Sequence, residues 1–313
     1  MQKIIKPPRL KPNATIGVIS PASPVKPERL ERGVRYFESL GYKIELGKHV
    51  LKANNYLAGT DEERLADLHD MFGRPEIDAI ICARGGYGTP RLLDKIDYNL
   101  IQKNPKIFVG YSDLTALQLA IFHKTGLVTF SGPMLAVEFA NEEIHKPTES
   151  GFWRILQEPV AFGAMQAMSR AAYPVICQGE AEGRLLGGCL ALINSIVGTS
   201  YLPDFRDAIL LLEDIGEIPM RIDRYLAQLN YIDVLGKIKG VVCGQFVDSE
   251  TEEENADGWI NDLLDSYFQK FGRPVINKFD YGHIPQKYTM PIGVTARVKT
   301  NPVTFEILES AVS

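Results

Sequence analysis

The feature that most constrains the fold is the alternation of short apolar runs with helical patterns in the first half of the chain. Strand-like runs lie at residues 15–19, 42–46, 79–83, 107–110 and 127–130. Apolar residues at helical spacing lie between them at residues 28–40, 61–72 and 115–123. This order predicts an open, mainly parallel α/β sheet with helices on both faces and ligands at the carboxyl ends of its strands.

The second half of the chain is less regular. Strand patterns lie at residues 179–186, 208–212, 240–244 and, as a pair, within 294–308. Helical patterns lie at residues 190–197, 220–231 and 259–271, and the acidic run at 248–254 is interpreted as a solvated loop. We therefore predict a first domain over residues 1–140, an inter-domain crossing over 141–174, and a smaller, β-rich, mixed α+β domain over 175–313.

Charge and composition argue against several classes of function. The net charge of -5 and the pI near 5.7 give no general attraction to nucleic acid. No apolar run approaches the ~20 residues that span a bilayer, and the N-terminus lacks the apolar segment of a secretory signal. The cysteines have no paired spacing and are interpreted as core residues, not as disulfides or metal ligands: Cys82, Cys177, Cys189 and Cys243. We expect a cytoplasmic protein.

Ser112 follows the fourth apolar run, in the sequence Val109-Gly110-Tyr111-Ser112-Asp113, and a helical pattern comes directly after it. A serine at a tight strand-to-helix turn is well placed for a nucleophile, because the free N–H groups of the helix lie beside it. The alternative is that Ser112 only caps the helix. Because Leu114 stands where GxSxG has its second glycine, the ordinary esterase motif is not met.

A glycine-rich turn, Arg84-Gly85-Gly86-Tyr87-Gly88, follows the third apolar run. It matches neither a Walker loop nor GxGxxG. One interpretation is a flexible turn. The other is that its backbone N–H groups hold an oxyanion or a carboxylate, since glycine lets the backbone approach a ligand closely. Both this turn and Ser112 are predicted at the carboxyl ends of strands, and therefore in one crevice.

A serine nucleophile needs a base and an acid that orients the base. His283 is the best placed histidine, because it lies in a Gly/Pro-flanked loop after the apolar Val275-Ile276, whereas the others lie in helical or surface contexts. Glu213 follows a five-residue apolar run and needs a partner if it is buried. Asp214 and Glu217 compete with it as the acid. Alternatively, Glu213 or Asp214 pairs with a nearby arginine, Arg221 or Arg224.

Taken together, these blocks resemble the serine LD-carboxypeptidases, a family that includes bacterial muramoyltetrapeptide carboxypeptidases and microcin-immunity peptidases. The resemblance runs nearly end to end. It rests on Ile16-Gly17-Val18-Ile19-Ser20-Pro21-Ala22-Ser23, the glycine-rich turn, the Ser112 turn, Gly187-Gly188, Leu212-Glu213-Asp214-Ile215-Gly216-Glu217, and Gly282-His283 with Pro291-Ile292-Gly293. The order of the blocks makes it specific.

The resemblance implies a flavodoxin-like N-terminal domain, a β-rich C-terminal domain and a homodimer without metal or cofactor. It implies a triad of Ser112 as nucleophile, Glu213 as acid and His283 as base. The oxyanion hole would use backbone N–H groups of Gly86 and Asp113. The implied activity releases D-alanine from murein tetrapeptides during peptidoglycan recycling. Arg84 and Gly85 are candidates for substrate binding, and Arg84 is suited to a free carboxylate.

Three other functions compete with this interpretation. A microcin-immunity peptidase would use the same triad on an aminoacyl-nucleotide-like toxin. A non-catalytic module would use the glycine turn and the helix N-terminus to hold an anion. A glutamine amidotransferase would need cysteine in place of Ser112.

Overall fold

The computed structural model describes residues 3–169, 172–249 and 256–313. The first half of the chain builds a sheet of five parallel strands from the predicted apolar runs. These strands are β1 (Thr15–Ile19), β2 (Lys43–Leu46), β3 (Ala79–Cys82), β4 (Ile107–Gly110) and β5 (Thr129–Ser131). Their order in the sheet is β5-β4-β3-β1-β2. Because β3 and β4 are buried along their whole length, they have no polar alternation.

Helices cover this sheet at the predicted places, together with two short helices that were not predicted. The helices are α1 (Pro27–Ser39), α2 (Asp61–Gly73), a 3-10 helix (Thr89–Lys95), α3 (Tyr98–Lys103) and α4 (Leu114–Thr125). The 3-10 helix and α3 were not predicted. Helix α2 starts with a capping box between Thr60 and Glu63, and α4 ends at Gly126 in the left-handed conformation.

The second half forms a mixed sheet. Its strands, in chain order, are β6 (Gly163–Ala164), β7 (Val175–Cys177), β8 (Glu180–Cys189), β9 (Ala208–Ile215), β10 (Gly240–Val247), β11 (Val275–Ile276), β13 (Thr295–Thr300) and β14 (Val303–Ile307). Strands β8 to β11 are parallel, and the outer strands pair antiparallel. The remaining helices are α5 (Lys146–Gln157), α6 (Leu190–Ser195), α7 (Pro219–Tyr231), α8 (Val234–Lys237) and α9 (Ala256–Phe268). The predicted α/β class, with a mainly parallel first sheet and a β-rich mixed second part, is confirmed.

Three strands of the second half are longer than predicted, and one of them is β10, which continues to Val247 where the prediction ended at residue 244. Strand β8 continues through Gly187 and Gly188, where the prediction ended at residue 186. Both glycines have φ near +140°, and a Cβ on Gly187 would lie only 1.9 Å from the Leu211 carbonyl oxygen, so the strands approach too closely for a side chain. Strand β9 includes Glu213 and Asp214, which were predicted to follow it.

The two halves of the chain are interleaved. Strand β12 (Met290–Ile292) comes from the second half but pairs antiparallel with β5 at the edge of the first sheet. Residues 141–174, the predicted crossing, contain α5 and β6. The exact domain boundaries stay a prediction. Most of the acidic run, residues 250–254, lies outside the described residues.

Contacts between the halves place the end of β4 against the second sheet. The Thr115 hydroxyl in the first turn of α4 accepts the N–H of Cys189 at 3.1 Å. A Cβ on Gly188 would lie 2.6 Å from that hydroxyl oxygen, so glycine allows α4 to pack directly on β8. Cys189 is the register partner of Glu213 on β9. The N-terminus of α4 therefore lies close to the end of β9.

Candidate active site

Ser112 occupies the turn between β4 and α4 with a φ of 67°. This left-handed conformation is uncommon for residues other than glycine and marks a constrained turn. The N-cap of α4 is Asp113, which makes no side-chain capping bond, and Ser112 Oγ has no hydrogen-bond partner among the described residues. The structure therefore does not show Ser112 capping the helix. Its hydroxyl faces a cavity instead.

The glycine-rich turn lies directly against Ser112. A Cβ on Gly85 would be 3.0 Å from Ser112 Cβ and 3.3 Å from Ser112 Oγ. Gly86 has a φ of +122°, and a Cβ there would lie 2.3 Å from Ser23 Oγ. These close approaches explain both glycines. Within the described residues, the N–H groups of Gly86 and Asp113 have no acceptor, so both remain available to a ligand.

Asp113 joins the two turns. Its buried carboxylate accepts the N–H groups of Gly88 at 3.1 Å and of Thr89 at 2.8 Å. The Thr89 hydroxyl donates in turn to the Asp113 carbonyl oxygen at 2.5 Å. Burial raises the pKa of Asp113, although these hydrogen bonds act in the opposite direction. The side chain thus fixes the position of the glycine-rich turn relative to Ser112.

Glu213 and His283 form a hydrogen-bonded pair in which the carboxylate is buried and the ring is half-buried. Glu213 is fully buried on β9, and its Oε2 lies 2.7 Å from His283 Nδ1. His283 belongs to the loop between β11 and β12. The preceding Gly282 has a φ of +119°, and a Cβ there would lie 2.9 Å from Glu213 Oε2, so glycine lets the loop reach the carboxylate. Glu213 Oε1 has no partner among the described residues.

The two competing acids have other partners. Asp214 Oδ2 accepts the N–H of Ala191 at 2.8 Å in the first turn of α6. Burial, followed by the neighbouring charge of Glu213, raises the pKa of Asp214 to about 7. Glu217 accepts hydrogen bonds from Arg221 and Tyr225, each at 3.3 Å. Glu213 is the acid that contacts His283.

A second buried network lies beside this pair. The Tyr111 ring packs against the His283 ring with centroids 4.9 Å apart, and its hydroxyl donates to Glu138 Oε1 at 2.8 Å. Lys287 Nζ lies 2.7 Å from the same oxygen and 4.0 Å from the centre of the Tyr111 ring. Burial opposes ionisation of Glu138, but the Lys287 ammonium and the hydrogen bonds outweigh it and lower its pKa. The network links the first half of the chain to the His283 loop.

A cavity of about 480 Å³ brings most of the predicted site residues together. Its lining includes Arg84, Gly85, Gly86, Ser112 and His283. Glu213 and Asp113 lie behind this surface, because both are buried. The remaining lining residues are Val25, Lys26, Arg29, Tyr111, Met134, Ala136, Val137 and Ile215.

The described residues contain no cluster of three or more side chains suited to hold a metal ion. No helix in the described ranges is long and apolar enough to cross a membrane.

Three of the other histidines have contacts outside the cavity. His49 contacts Asp67 at 2.8 Å, and His69 accepts the N–H of Asp97 at 3.0 Å. His145 lies 3.2 Å from the Thr148 hydroxyl.

Both halves of the chain match the domain profiles of one family. The profile of the LD-carboxypeptidase N-terminal domain matches residues 16–132, and that of the C-terminal domain matches residues 182–298. The chain belongs to the LD-carboxypeptidase family.

Several relatives match almost end to end. A probable murein peptide carboxypeptidase of Bacillus subtilis is 40% identical over 308 residues, covering 98% of this chain and 95% of the relative. A murein tetrapeptide carboxypeptidase of Pseudomonas aeruginosa is 33% identical, covering 91% and 93%. The microcin C7 self-immunity protein MccF of Escherichia coli is 29% identical, covering 96% and 94%.

Solved structures show the same two-part fold. A MccF-like protein from Bacillus anthracis superposes with a TM-score of 0.90 at 30% identity, covering 97% of this chain and 99% of the other. A muramoyltetrapeptide carboxypeptidase from Oxalobacter formigenes gives a TM-score of 0.82 at 30% identity, with 94% and 98% covered. The fold is therefore that of two-domain LD-carboxypeptidases.

The residues that complete the cavity were not predicted. For Tyr111 the signal in the sequence is its position next to Ser112. Lys26 and Arg29 surround the start of α1, where a helix N-terminus follows β1, and a basic pair at that place could have been noted. The Glu138–Lys287 pair gave no local signal, because its members are 149 residues apart.

Proposed function

We propose that this protein is a serine carboxypeptidase that cleaves the L,D-peptide bond of murein tetrapeptides and releases D-alanine. The observation that carries the proposal is that Ser112, in its constrained turn, and the hydrogen-bonded His283–Glu213 pair meet at one cavity. That arrangement suits acyl transfer through a covalent intermediate. The names of the relatives supply the substrate class, since they include murein peptide and tetrapeptide carboxypeptidases.

In the proposed mechanism His283 is the general base. The Glu213 carboxylate accepts the Nδ1 proton of His283, which leaves Nε2 unprotonated and able to take the Ser112 proton. Ser112 Oγ then attacks the carbonyl carbon of the L,D-bond. Glu213 stabilises the imidazolium that forms, because its buried carboxylate lies within hydrogen-bond distance of the ring.

The developing oxyanion would be bound by the N–H groups of Gly86 and Asp113. Both are free of protein acceptors in the described part of the chain, and both flank Ser112. Loss of one such donor in serine proteases costs about 10²–10³ in rate. His283 then protonates the leaving amine of D-alanine, and water hydrolyses the acyl-enzyme with His283 as base again.

A carboxypeptidase must also recognise a free terminal carboxylate, and we assign this role to Arg84. Its guanidinium lines the cavity next to Gly85 and makes only long bonds, 3.2 Å to the Gly85 oxygen and 3.4 Å to the Pro24 oxygen. Donors held this weakly are available to a carboxylate. The Gly85 backbone would bound the same subsite.

We further propose that the protein acts as a homodimer in the cytoplasm, as the family resemblance implies. Sedimentation equilibrium at micromolar concentration measures the first point, with a mass of twice 34.9 kDa expected. Cell fractionation measures the second.

A second candidate activity is cleavage of an aminoacyl-nucleotide-like toxin, favoured by the likeness to MccF and the MccF-like structure. The test offers both substrate types to the purified protein: an L,D-tetrapeptide and an aminoacyl sulfamoyl-adenylate. We expect D-alanine release from the tetrapeptide, which Ser112→Ala abolishes. Turnover of the adenylate alone would transfer the assignment to the second activity. A lack of turnover with both substrates would refute the peptidase proposal.

A further inference from the structure

One wall of the cavity carries positive charge that the protein does not neutralise. Lys26, Arg29 and Arg84 line it, and none of these three forms an ion pair with any described residue. No aspartate or glutamate of the described ranges lines the cavity. Glu213, the acid that contacts His283, lies behind the His283 ring. A cluster of like charges without counter-charges is unfavourable in the empty protein and becomes favourable when an anion binds.

Arg29 is held in place by neutral acceptors. Its Nε donates to the Ala136 oxygen at 2.8 Å, and its Nη2 donates to the Val137 oxygen at 2.6 Å and to Asn141 Oδ1 at 2.9 Å. Its Nη1 has no partner among the described residues. The guanidinium is thus oriented in advance and keeps its full charge, which favours recognition of a planar carboxylate.

Arg29 and Arg84 are carried by adjoining segments. The Ala136 N–H, from the segment that Arg29 binds, donates to the Ala83 oxygen at 2.9 Å. Arg84 follows Ala83 directly. The wall therefore offers two separate guanidinium groups with Lys26 beside them, which is more than one carboxylate requires.

We infer that Lys26 and Arg29 form a second anion subsite, which binds a free carboxylate on the acyl side of the cleaved bond. The inference rests on the proposed function. If Arg84 binds the terminal carboxylate, the chain of the substrate ends there, and D-alanine has no charged side chain. A further carboxylate must then belong to the residue on the acyl side or to one before it. The subsite makes the enzyme selective for acidic over amidated peptides.

The test compares two tetrapeptides that end in D-alanine. The third residue of one carries a free side-chain carboxylate, and in the other this group is a carboxamide. Calorimetry measures the affinity of both for the Ser112→Ala protein, where neither is consumed. We expect the acid to bind about 10- to 100-fold more tightly, the range of a charge-assisted hydrogen bond. Arg29→Gln should reduce this preference to about twofold.

Arg32→Gln is the matched control, because it removes the same charge from the same helix but lines a different groove. It should keep the preference. Lys26 is exposed, and its side chain makes no hydrogen bond with the described residues. Lys26→Gln should therefore lower the preference in part, and it guards against a folding defect of Arg29→Gln. In each variant the measured quantity is the ratio of the affinities for the acid and the amide peptide. A loss of active protein affects both affinities equally and cancels in this ratio.

Equal affinities for acid and amide in the Ser112→Ala protein would overturn the inference. A preference that survives Arg29→Gln, or that Arg32→Gln removes equally, would also overturn it. D-alanine release by the protein with Ser112 intact is measured on the same peptides. Release without a preference refutes the subsite alone, whereas a preference without release supports the subsite and refutes the proposed peptidase activity.

Discussion

Replacement of Glu213 by glutamine separates a catalytic role of this carboxylate from a structural one. The side chain is fully buried, and its Oε2 lies 2.7 Å from His283 Nδ1. Glutamine keeps the shape but removes the charge. If its amide group turns the NH₂ toward His283, Nδ1 must accept a hydrogen bond and Nε2 carries the proton. His283 then cannot accept the proton of Ser112.

The expected loss of kcat follows from the change of the His283 tautomer. The wrong tautomer, produced by the equivalent change in Ser-His-Asp triads, lowers kcat by about 10⁴, and we expect a loss of about 10³–10⁴ here. Stability should change little. Glu213 Oε1 has no partner in the described part of the protein, so the native carboxylate is itself under-satisfied. Loss of a buried charge offsets the weaker bond to His283, and we expect a change within about 1 kcal/mol.

The assay pairs steady-state D-alanine release with urea unfolding of the same preparation. Glu217→Gln serves as the control acid, because Glu217 contacts Arg221 and Tyr225 and makes no contact with His283. Its kcat should stay within about threefold of the unaltered protein, because the change leaves the contact between Glu213 and His283 intact. The reasoning is refuted if Glu213→Gln loses less than tenfold in kcat, or if Glu217→Gln loses as much.

Three further predictions concern stability. Burial, followed by the charge of Glu213, raises the pKa of Asp214 to about 7 in the folded protein. The pKa of an aspartate in the unfolded chain is about 3.9. Between these two pH values the folded state therefore binds one more proton than the unfolded state. Stability therefore falls as pH rises through this window, and urea unfolding at both ends should show a smaller fall in Asp214→Asn; an unchanged fall contradicts this. Gly86→Ala should cost about 1–3 kcal/mol, because φ is positive there and a Cβ would clash with Ser23 Oγ, whereas Gly73→Ala, whose Cβ would make only an ordinary contact with Leu100 at 3.8 Å, should be neutral in the same urea unfolding experiments. Lys287→Met leaves a buried carboxylate unpaired and should cost about 3–5 kcal/mol in chemical denaturation; a cost below about 1 kcal/mol would show that the ion pair is not as buried as described.

Local patterns in the sequence were sufficient to predict the elements that carry the site. The apolar runs before Gly85 and Ser112 form buried strands, so their carboxyl ends had to meet at one edge of the parallel sheet. The loop that carries His283 was recognisable from its glycine and proline residues. The short 3-10 helix at Thr89–Lys95 was missed because it starts at a Thr-Pro pair after glycine and has no helical apolar period.

Long-range contacts were beyond what local patterns can provide. Strand β12 joins the first sheet by pairing Pro291 with Phe130, a register that no pattern near Pro291 specifies. The contact between Glu213 and His283 depends on the closeness of β9 to the loop after β11, with Gly282 allowing the approach. The left-handed φ of Ser112 is likewise not specified by the residues beside it, since serine rarely adopts this conformation.

The most direct test of the account is to identify the residue that becomes acylated. The protein is mixed with an L,D-tetrapeptide, quenched in acid during turnover, digested and analysed by mass spectrometry. We expect the acyl group of the substrate on Ser112, accompanied by stoichiometric D-alanine, and no adduct in Ser112→Ala. An adduct on another residue, or D-alanine release that persists in Ser112→Ala, would contradict the assignment of Ser112 as the nucleophile.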